Sequence, residues 1–160
     1  VHEGGRLWIK GPNVMLGYLR ATDPGVIDPP KDGWYDTGDI VSVDEDGFVR
    51  ILGRAKRFAK IGGEMISLAA VEEVLSEVWP EDKHAVVMIK GGPRGETLSL
   101  VTSKPELKRD ELRQTLSDLG VAEIAVPKKI LTMENIPLLS TGKIDYVSLE
   151  EILKDIDPDS

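Results

Sequence analysis

Gly33-Trp34-Tyr35-Asp36-Thr37-Gly38-Asp39 is the stretch on which the reading of this chain turns, together with Gly53-Arg54 and Ser140-Thr141-Gly142-Lys143. As local sequence, these segments put a carboxylate, a guanidinium and an ammonium on three separate turns. An ionised carboxylate only accepts hydrogen bonds, which suits a pair of sugar hydroxyls. The two cations suit phosphate, arginine as a planar fork and lysine as a point charge on a flexible stem. A nucleotide needs all three. Each residue also has a plainer reading on its own. Asp39 could stabilise its own turn, Arg54 could form a surface ion pair, and Lys143 could be a solvated lysine.

The chain around these segments changes texture after Gly53. Before it, Arg6–Lys10 alternates as a short strand, and residues 20–33 read as a loop dense in proline and glycine. Ile40–Val43 and Phe48–Leu52 flank Asp44-Glu45-Asp46-Gly47, a hairpin in which Gly47 supplies the positive φ. Asp39 then lies just before a strand. After Gly53, Phe58–Ile61 and Glu64–Ile66 flank Gly62-Gly63 as a second hairpin. Ser67 is a good helix N-cap. Leu68, Val71, Val74, Leu75 and Val78 follow with helical spacing. Ala85–Ile89 and Leu98–Val101 are strands across the Gly91–Gly95 turn. Leu112, Leu116 and Leu119 mark a helix that stops at Gly120, and Lys129–Met133 is another strand. Asp145 caps a last helix with Leu149, Ile152, Leu153 and Ile156 on its core face. The expectation is an all-β piece over residues 1–54 and a compact α+β domain over 55–160, with the boundary at Arg54–Lys56.

Composition excludes several classes. The chain has 160 residues, 20 Lys and Arg against 28 Asp and Glu, and a net charge of -8. An acidic total disfavours nonspecific nucleic-acid binding. No run of about 18 apolar residues is present to span a membrane, and the first residues do not form a signal peptide. There is no cysteine, hence no disulfide framework or thiolate chemistry. His2 and His84 are the only histidines. With no cysteine beside them, a metal site is not expected, and no nucleophile elbow supports a serine triad. Gly91-Gly92-Pro93-Arg94-Gly95 lacks the Gly-Lys-Ser/Thr ending of a phosphate loop and reads as a hairpin turn. The charge is uneven: Arg50, Arg54, Lys56, Arg57 and Lys60 fall in a segment without an acid, and the C-terminal end is acidic. The basic run is a solvated face or a surface for an anionic ligand or partner.

The quoted segments resemble the adenylate-forming enzymes, the superfamily of acyl-CoA synthetases, firefly luciferase and peptide-synthetase adenylation domains. The resemblance implies that Asp39 holds a ribose, that Arg54 is its partner, and that Tyr35 and Thr37 belong to the same ATP/AMP site. It places the interdomain hinge at Lys56, where many relatives have aspartate. It makes Lys60-Ile61-Gly62-Gly63-Glu64 the turn that swings in for the second half-reaction and lines the tunnel for a phosphopantetheine arm. It makes Lys143 the catalytic lysine, neutralising charge as a carboxylate meets a triphosphate. The superfamily's Ser/Thr/Gly-rich phosphate loop and its acyl pocket are not in the sequence. The chain therefore reads as a C-terminal fragment without adenylation activity of its own. ATP and Mg²⁺ are expected to be held mainly by the missing part.

Narrower wording is similar to the bacterial bifunctional acyltransferase/acyl-acyl-carrier-protein synthetases: Gly33–Ile40, Gly53–Ile61, Gly63-Glu64-Met65 and Pro137-Leu138-Leu139. It implies ATP-dependent adenylation of a fatty acid and transfer to the pantetheine thiol of acyl carrier protein. The acyl group then passes to a lysophospholipid, 2-acylglycerophosphoethanolamine. His-x4-Asp, the acyltransferase motif, is absent from these residues. Arg50, Arg57 and Lys60 become candidates for docking the acidic carrier protein. The implied setting is the bacterial cytoplasm, with the parent protein at the inner membrane. Two alternatives stay open, a fatty acyl-CoA ligase and a noncatalytic module that binds carrier protein.

Overall fold

Residues 84–90 and 96–102 are the paired strands on which both hydrophobic cores of the second unit are built. The computed structural model describes residues 5–90 and 96–156. His2, the Gly91–Gly95 turn, Asp157 and Asp159 lie outside the described residues, as do the side chains of Asp155 and Ile156. The chain divides between Arg57 and Phe58 into two compact units.

In the second unit, β8 (His84–Lys90) pairs antiparallel with β9 (Glu96–Thr102), and β9 pairs parallel with β10 (Lys129–Thr132). The strand order is β10-β9-β8. Side chains of a strand alternate between faces. Val86, Leu98 and Leu100 thus join one core, with Leu68, Val71 and Leu75 of α1 (Leu68–Val78) and Leu112 and Leu116 of α2 (Arg109–Asp118). Ala85, Val87, Ile89 and Val101 join the other core, with Leu149 and Leu153 of α3 (Tyr146–Ile156). A sheet covered on both faces explains why Ala85–Ile89 reads as an unbroken apolar run. Each buried leucine or valine contributes about 1.5–3 kcal/mol relative to exposure. A small hairpin, β6 (Phe58–Ile61) and β7 (Glu64–Ser67), precedes α1 and adds Ala59 and Ile66 to the first core. This is the α+β arrangement that the sequence predicts: a short hairpin, a three-stranded sheet and helices.

Local chemistry closes the helices. Ser67 Oγ accepts the Ala70 N–H of α1 at 3.2 Å. Asp145 Oδ1 accepts the N–H groups of Val147 and Ser148, and Oδ2 accepts the Ser148 hydroxyl. The Ser148 hydroxyl and N–H hold the Asp145 carboxyl below its usual range, with the Val147 N–H adding to them. Gly120 has a φ of 77° after α2, as a C-terminal stop requires. Leu119 does not extend the core face: it sits past the last turn and is exposed.

The first unit is a three-stranded sheet in the order β1-β4-β5, from Arg6–Ile9 (β1), Tyr35–Val43 (β4) and Val49–Arg54 (β5). The expected hairpin at Asp44–Gly47 is present, with Gly47 at φ 86°. The segment expected as a loop over 20–33 is not wholly irregular. Tyr18–Leu19 (β2) and Ile27–Asp28 (β3) form a two-residue ladder, tied by the Arg20–Asp28 ion pair at 2.6 Å. Among the described residues no helix is long and apolar enough to cross a membrane.

His84 is buried, and its two ring nitrogens are both used. Nε2 lies 3.2 Å from the Trp79 carbonyl, which can only accept, so Nε2 donates. Nδ1 then accepts from the Thr102 hydroxyl at 2.9 Å, and Thr102 Oγ1 in turn accepts the Lys104 N–H. This tautomer is neutral. Burial pushes the His84 pKa below its ordinary 6.5, against smaller opposing effects of the Trp79 carbonyl and Asp82. As pH falls through that ordinary value, the unfolded chain takes a proton that the folded chain refuses. Stability is therefore full above it and is lost below it. Thermal unfolding between about pH 7 and pH 5.5 should show this loss, at up to about 1.4 kcal/mol per pH unit. His84→Gln should flatten the slope in that window; an unchanged slope would assign the loss to other groups.

Candidate functional site

The Tyr35–Asp39 motif lies within β4 rather than before a strand, and Arg54 is the last residue of β5. The three chemical groups are therefore not on three turns. Asp39 and Arg54 are cross-strand partners on adjacent strands. The sequence misleads here because Gly38 looks like a turn glycine. It has a φ of 73° and lies inside β4 where the β1 register shifts between Asp36 and Ile40, one residue before the β5 ladder begins at Asp39. A Cβ at Gly38 would meet Arg54 Nη1 at 3.7 Å, an ordinary contact. The glycine is thus needed for its backbone conformation and not for close approach.

Hydrogen bonds hold this segment from several sides. Thr37 Oγ1 donates to the Leu7 carbonyl of β1 and accepts the Asp39 N–H, both at 3.1 Å. Asp36 Oδ1 accepts the Gly38 N–H, while the carboxylate takes the Arg6 guanidinium on both oxygens. Arg54 Nη1 donates to the Thr37 carbonyl at 2.8 Å and lies 3.1 Å from Asp39 Oδ1. The Asp39 side chain is 17% exposed and that of Arg54 is 68% exposed. The arrangement offers a sheltered acceptor beside an arginine whose outer face meets water. Chemically, that is a seat for a diol with a cation at its edge.

Tyr35 is not brought to this pair. Four residues along a strand are about 13 Å, and Tyr35 lines a separate cavity of about 330 Å³ with Trp8, Tyr18, Trp34, Pro29 and Pro30. Its hydroxyl lies 3.5 Å from that of Tyr18. Thr37 is next to the pair, but its hydroxyl is already engaged on both sides. The Arg6–Asp36 clamp and the aromatic cavity were not foreseen. Alternation alone could have put Arg6 and Asp36 on neighbouring strands, but not in register. Arg50 is exposed on β5 opposite Ser42, and Lys56 and Arg57 sit in the 3-10 turn Ala55–Arg57.

In the second unit, Gly62 and Gly63 have φ values of 59° and 91°, so both central residues of the β6–β7 turn need glycine. A Cβ at Gly62 would also come within 2.9 Å of Ile124 Cδ1, whereas Gly63 faces open space. Lys60 is exposed on β6 opposite Met65.

Lys143 is exposed, and the segment carrying it is a closed hairpin turn rather than a loose loop. Leu138 bridges Ile144, the Leu139 N–H donates to the Lys143 carbonyl at 2.8 Å, and Gly142 turns at φ 81°. The backbone is fixed and the reach belongs to the lysine stem. Among the described residues no group of three or more His, Cys, Asp or Glu could hold a metal ion.

No protein-family profile matches the chain. It is 33% identical to pseudomonine synthase of Pseudomonas entomophila over 94% of its length, and 36% identical to the long-chain-fatty-acid–CoA ligase of Salmonella typhimurium over 89%. Its structure matches ATP-bound MatB from Rhodopseudomonas palustris with a TM-score of 0.67, at 29% identity over 92% of the chain. Its homologues are adenylate-forming enzymes. The match falls on the C-terminal domains of adenylate-forming enzymes. The chain spans 25% of the length of the two curated relatives and 30% of the MatB chain.

The ion pair and the threonine should separate in a stability measurement. An exposed pair is worth about 0–1 kcal/mol, so Asp39→Ala or Arg54→Ala should lower unfolding stability by less than about 1 kcal/mol. Thr37→Val strands both the Leu7 carbonyl and the Asp39 N–H, and should cost about 1–3 kcal/mol. Denaturant unfolding of the three variants checks the order.

Proposed function

We propose that this chain is the C-terminal portion of an AMP-forming ligase that activates a carboxylic acid as its acyl-adenylate and passes the acyl group to a pantetheine thiol. The observation that carries this reading is the Asp39–Arg54 pair, held by Thr37 at the end of two paired strands. The carboxylate accepts the ribose hydroxyls, and Arg54 supports it and faces the nucleotide. Lys143, on its closed turn, neutralises the charge that builds as the substrate carboxylate approaches the α-phosphate. Lys56 acts as the hinge. The Gly62-Gly63 turn presents backbone without side chains to the pantetheine arm, since a side chain there would obstruct it. ATP brings the Mg²⁺, held by residues outside this chain.

The acceptor we assign is acyl carrier protein, with a fatty acid as the acyl donor. The narrower sequence likeness supports this, as do the cations Arg50, Arg57 and Lys60 for an acidic partner. Transfer onward to 2-acylglycerophosphoethanolamine rests on that likeness alone. The 36% identity to a long-chain-fatty-acid–CoA ligase favours a second reading, with coenzyme A as acceptor. Both acceptors end in the same pantetheine thiol. Thioester formation by the full-length enzyme with coenzyme A and with acyl carrier protein separates them. Carrier protein should be used at least tenfold more efficiently in kcat/KM, and the reverse preference makes the enzyme a CoA ligase. ATP-independent carrier binding with no thioester from either acceptor would leave a noncatalytic module.

Lys143→Ala in the full-length enzyme should lower carboxylate-dependent pyrophosphate release by roughly 10²–10³-fold. Thiol transfer from supplied acyl-adenylate should stay within about twofold of the parent rate; equal loss of both steps would make the lysine structural. The 160-residue chain by itself should release no pyrophosphate from ATP, and robust release would show that the phosphate-binding elements assigned elsewhere are not needed.

A further inference from the structure

Glu72, on α1, ties together three elements of the second unit. Its Oε1 accepts the Val86 N–H of β8 at 2.5 Å, and its Oε2 accepts the Tyr146 hydroxyl at the start of α3 at 2.9 Å. β8 is an edge of its sheet, pairing with β9 alone among the described strands. Its outward N–H groups need acceptors from another element, and Glu72 supplies one. The side chain is half-buried, so its carboxylate is not simply a solvated surface group.

Tyr146 is three residues beyond Lys143, and the intervening backbone has little freedom. The Asp145 N–H donates to the Pro137 carbonyl at 2.9 Å, Leu138 bridges Ile144, and Leu139 bonds Lys143. Ile144 and Tyr146 both pack on the second core. The Lys143 turn is thus a small rigid body, rooted in the unit at Ile144 and Tyr146. The hydroxyl of Tyr146 is the polar fastening of that root, and it is fastened to Glu72.

We infer that Glu72 is a positioning residue for Lys143, acting through Tyr146 to fix the base of the lysine turn against α1 and β8. The inference rests on the proposed role of Lys143 in adenylation. Glu72 touches neither substrate nor nucleotide. Its effect is confined to where the ammonium is held, and a misplacement of about 1 Å can cost on the order of 10²-fold in rate. The Gly62-Gly63 turn, assigned to thiol transfer, is not fastened by this contact. The two half-reactions should therefore respond differently.

The test uses the full-length enzyme and measures both half-reactions separately. Lys143→Ala comes first: if it leaves adenylation intact, the proposed function of the lysine fails, whatever Glu72 does. Given a loss there, Tyr146→Phe and Glu72→Ala should each lower kcat for pyrophosphate release about tenfold. KM for ATP and thiol transfer from supplied acyl-adenylate should hold within about twofold. Glu72→Gln should restore adenylation, because its amide oxygen can take the Val86 N–H and its N–H can donate to the tyrosine oxygen. Tyr146→Phe should add nothing further in a Glu72→Ala background. Unchanged adenylation in Tyr146→Phe, alongside an inactive Lys143→Ala, would overturn the inference. So would a parallel fall of both half-reactions, or failure of Glu72→Gln to rescue.

Discussion

Burial of β9 on both faces is the constraint from which the second unit follows. Leu98 and Leu100 point into one core and Val101 into the other, and Leu100 and Val101 are fully buried. A strand in that position must have helices on both sides, and it gets α1 and α2 on one and α3 on the other. Its two neighbours then become edges that need protection. Glu72 answers this for β8 by accepting its Val86 N–H. His84 answers a related demand two residues earlier, at the start of that strand. There the ladder ends against Thr102, and the imidazole joins the Thr102 hydroxyl to the Trp79 carbonyl. A neutral ring can do this with one donor and one acceptor, and a protonated ring cannot accept from the hydroxyl. Burial favours the neutral ring and outweighs the opposing effect of the Trp79 carbonyl.

The sequence announces what local chemistry decides. Ser67 and Asp145 are read as caps because their side chains serve N–H groups within three residues. Gly62-Gly63 is read as a turn because both central positions of a tight hairpin require positive φ. Ala85–Ile89 and Leu98–Val101, short apolar-rich segments across a glycine turn, read as two strands, though they do not show that β9 would pair parallel with β10. What stays hidden is set by distant partners. Tyr146 and Glu72 are 74 residues apart, and Thr37 and Leu7 are 30 apart. Neither pairing leaves a periodic trace. The misreading of Tyr35–Asp39 has the same origin. Glycine and aspartate favour a turn, and here they form an irregularity inside β4, between Asp36 paired to β1 and Asp39 paired to β5.

The candidate site was legible as residue types and not as geometry. Asp39 and Arg54 are 15 positions apart, and the hairpin between them brings them into direct cross-strand register. Tyr35 belongs to the same motif in sequence, yet it lines an aromatic cavity with Trp8, Tyr18 and Trp34. Strand geometry accounts for the split. A motif that forms one strand is spread over its length, so its two ends serve different surroundings.

An ion pair such as Asp39–Arg54 contributes little to folding in water, because solvent screens it and two side chains must be ordered. Its value lies in preparation. Arg54 already donates to the Thr37 carbonyl, and Asp39 already has its own N–H held by Thr37 Oγ1. In the proposed nucleotide-binding role, a ligand would not have to order these groups, and the entropy otherwise lost on association has been lost on folding. Lys143 follows a different design. Its backbone is fixed by a closed turn, but its exposed stem keeps rotamer freedom. A ribose is a fixed shape best met by a fixed acceptor. A reacting carboxylate and phosphate change charge during the step, and a point charge on a flexible stem can follow that change. The Asp39–Arg54 pair and the Lys143 turn are therefore built with different stiffness, which suits the different chemistry proposed for each.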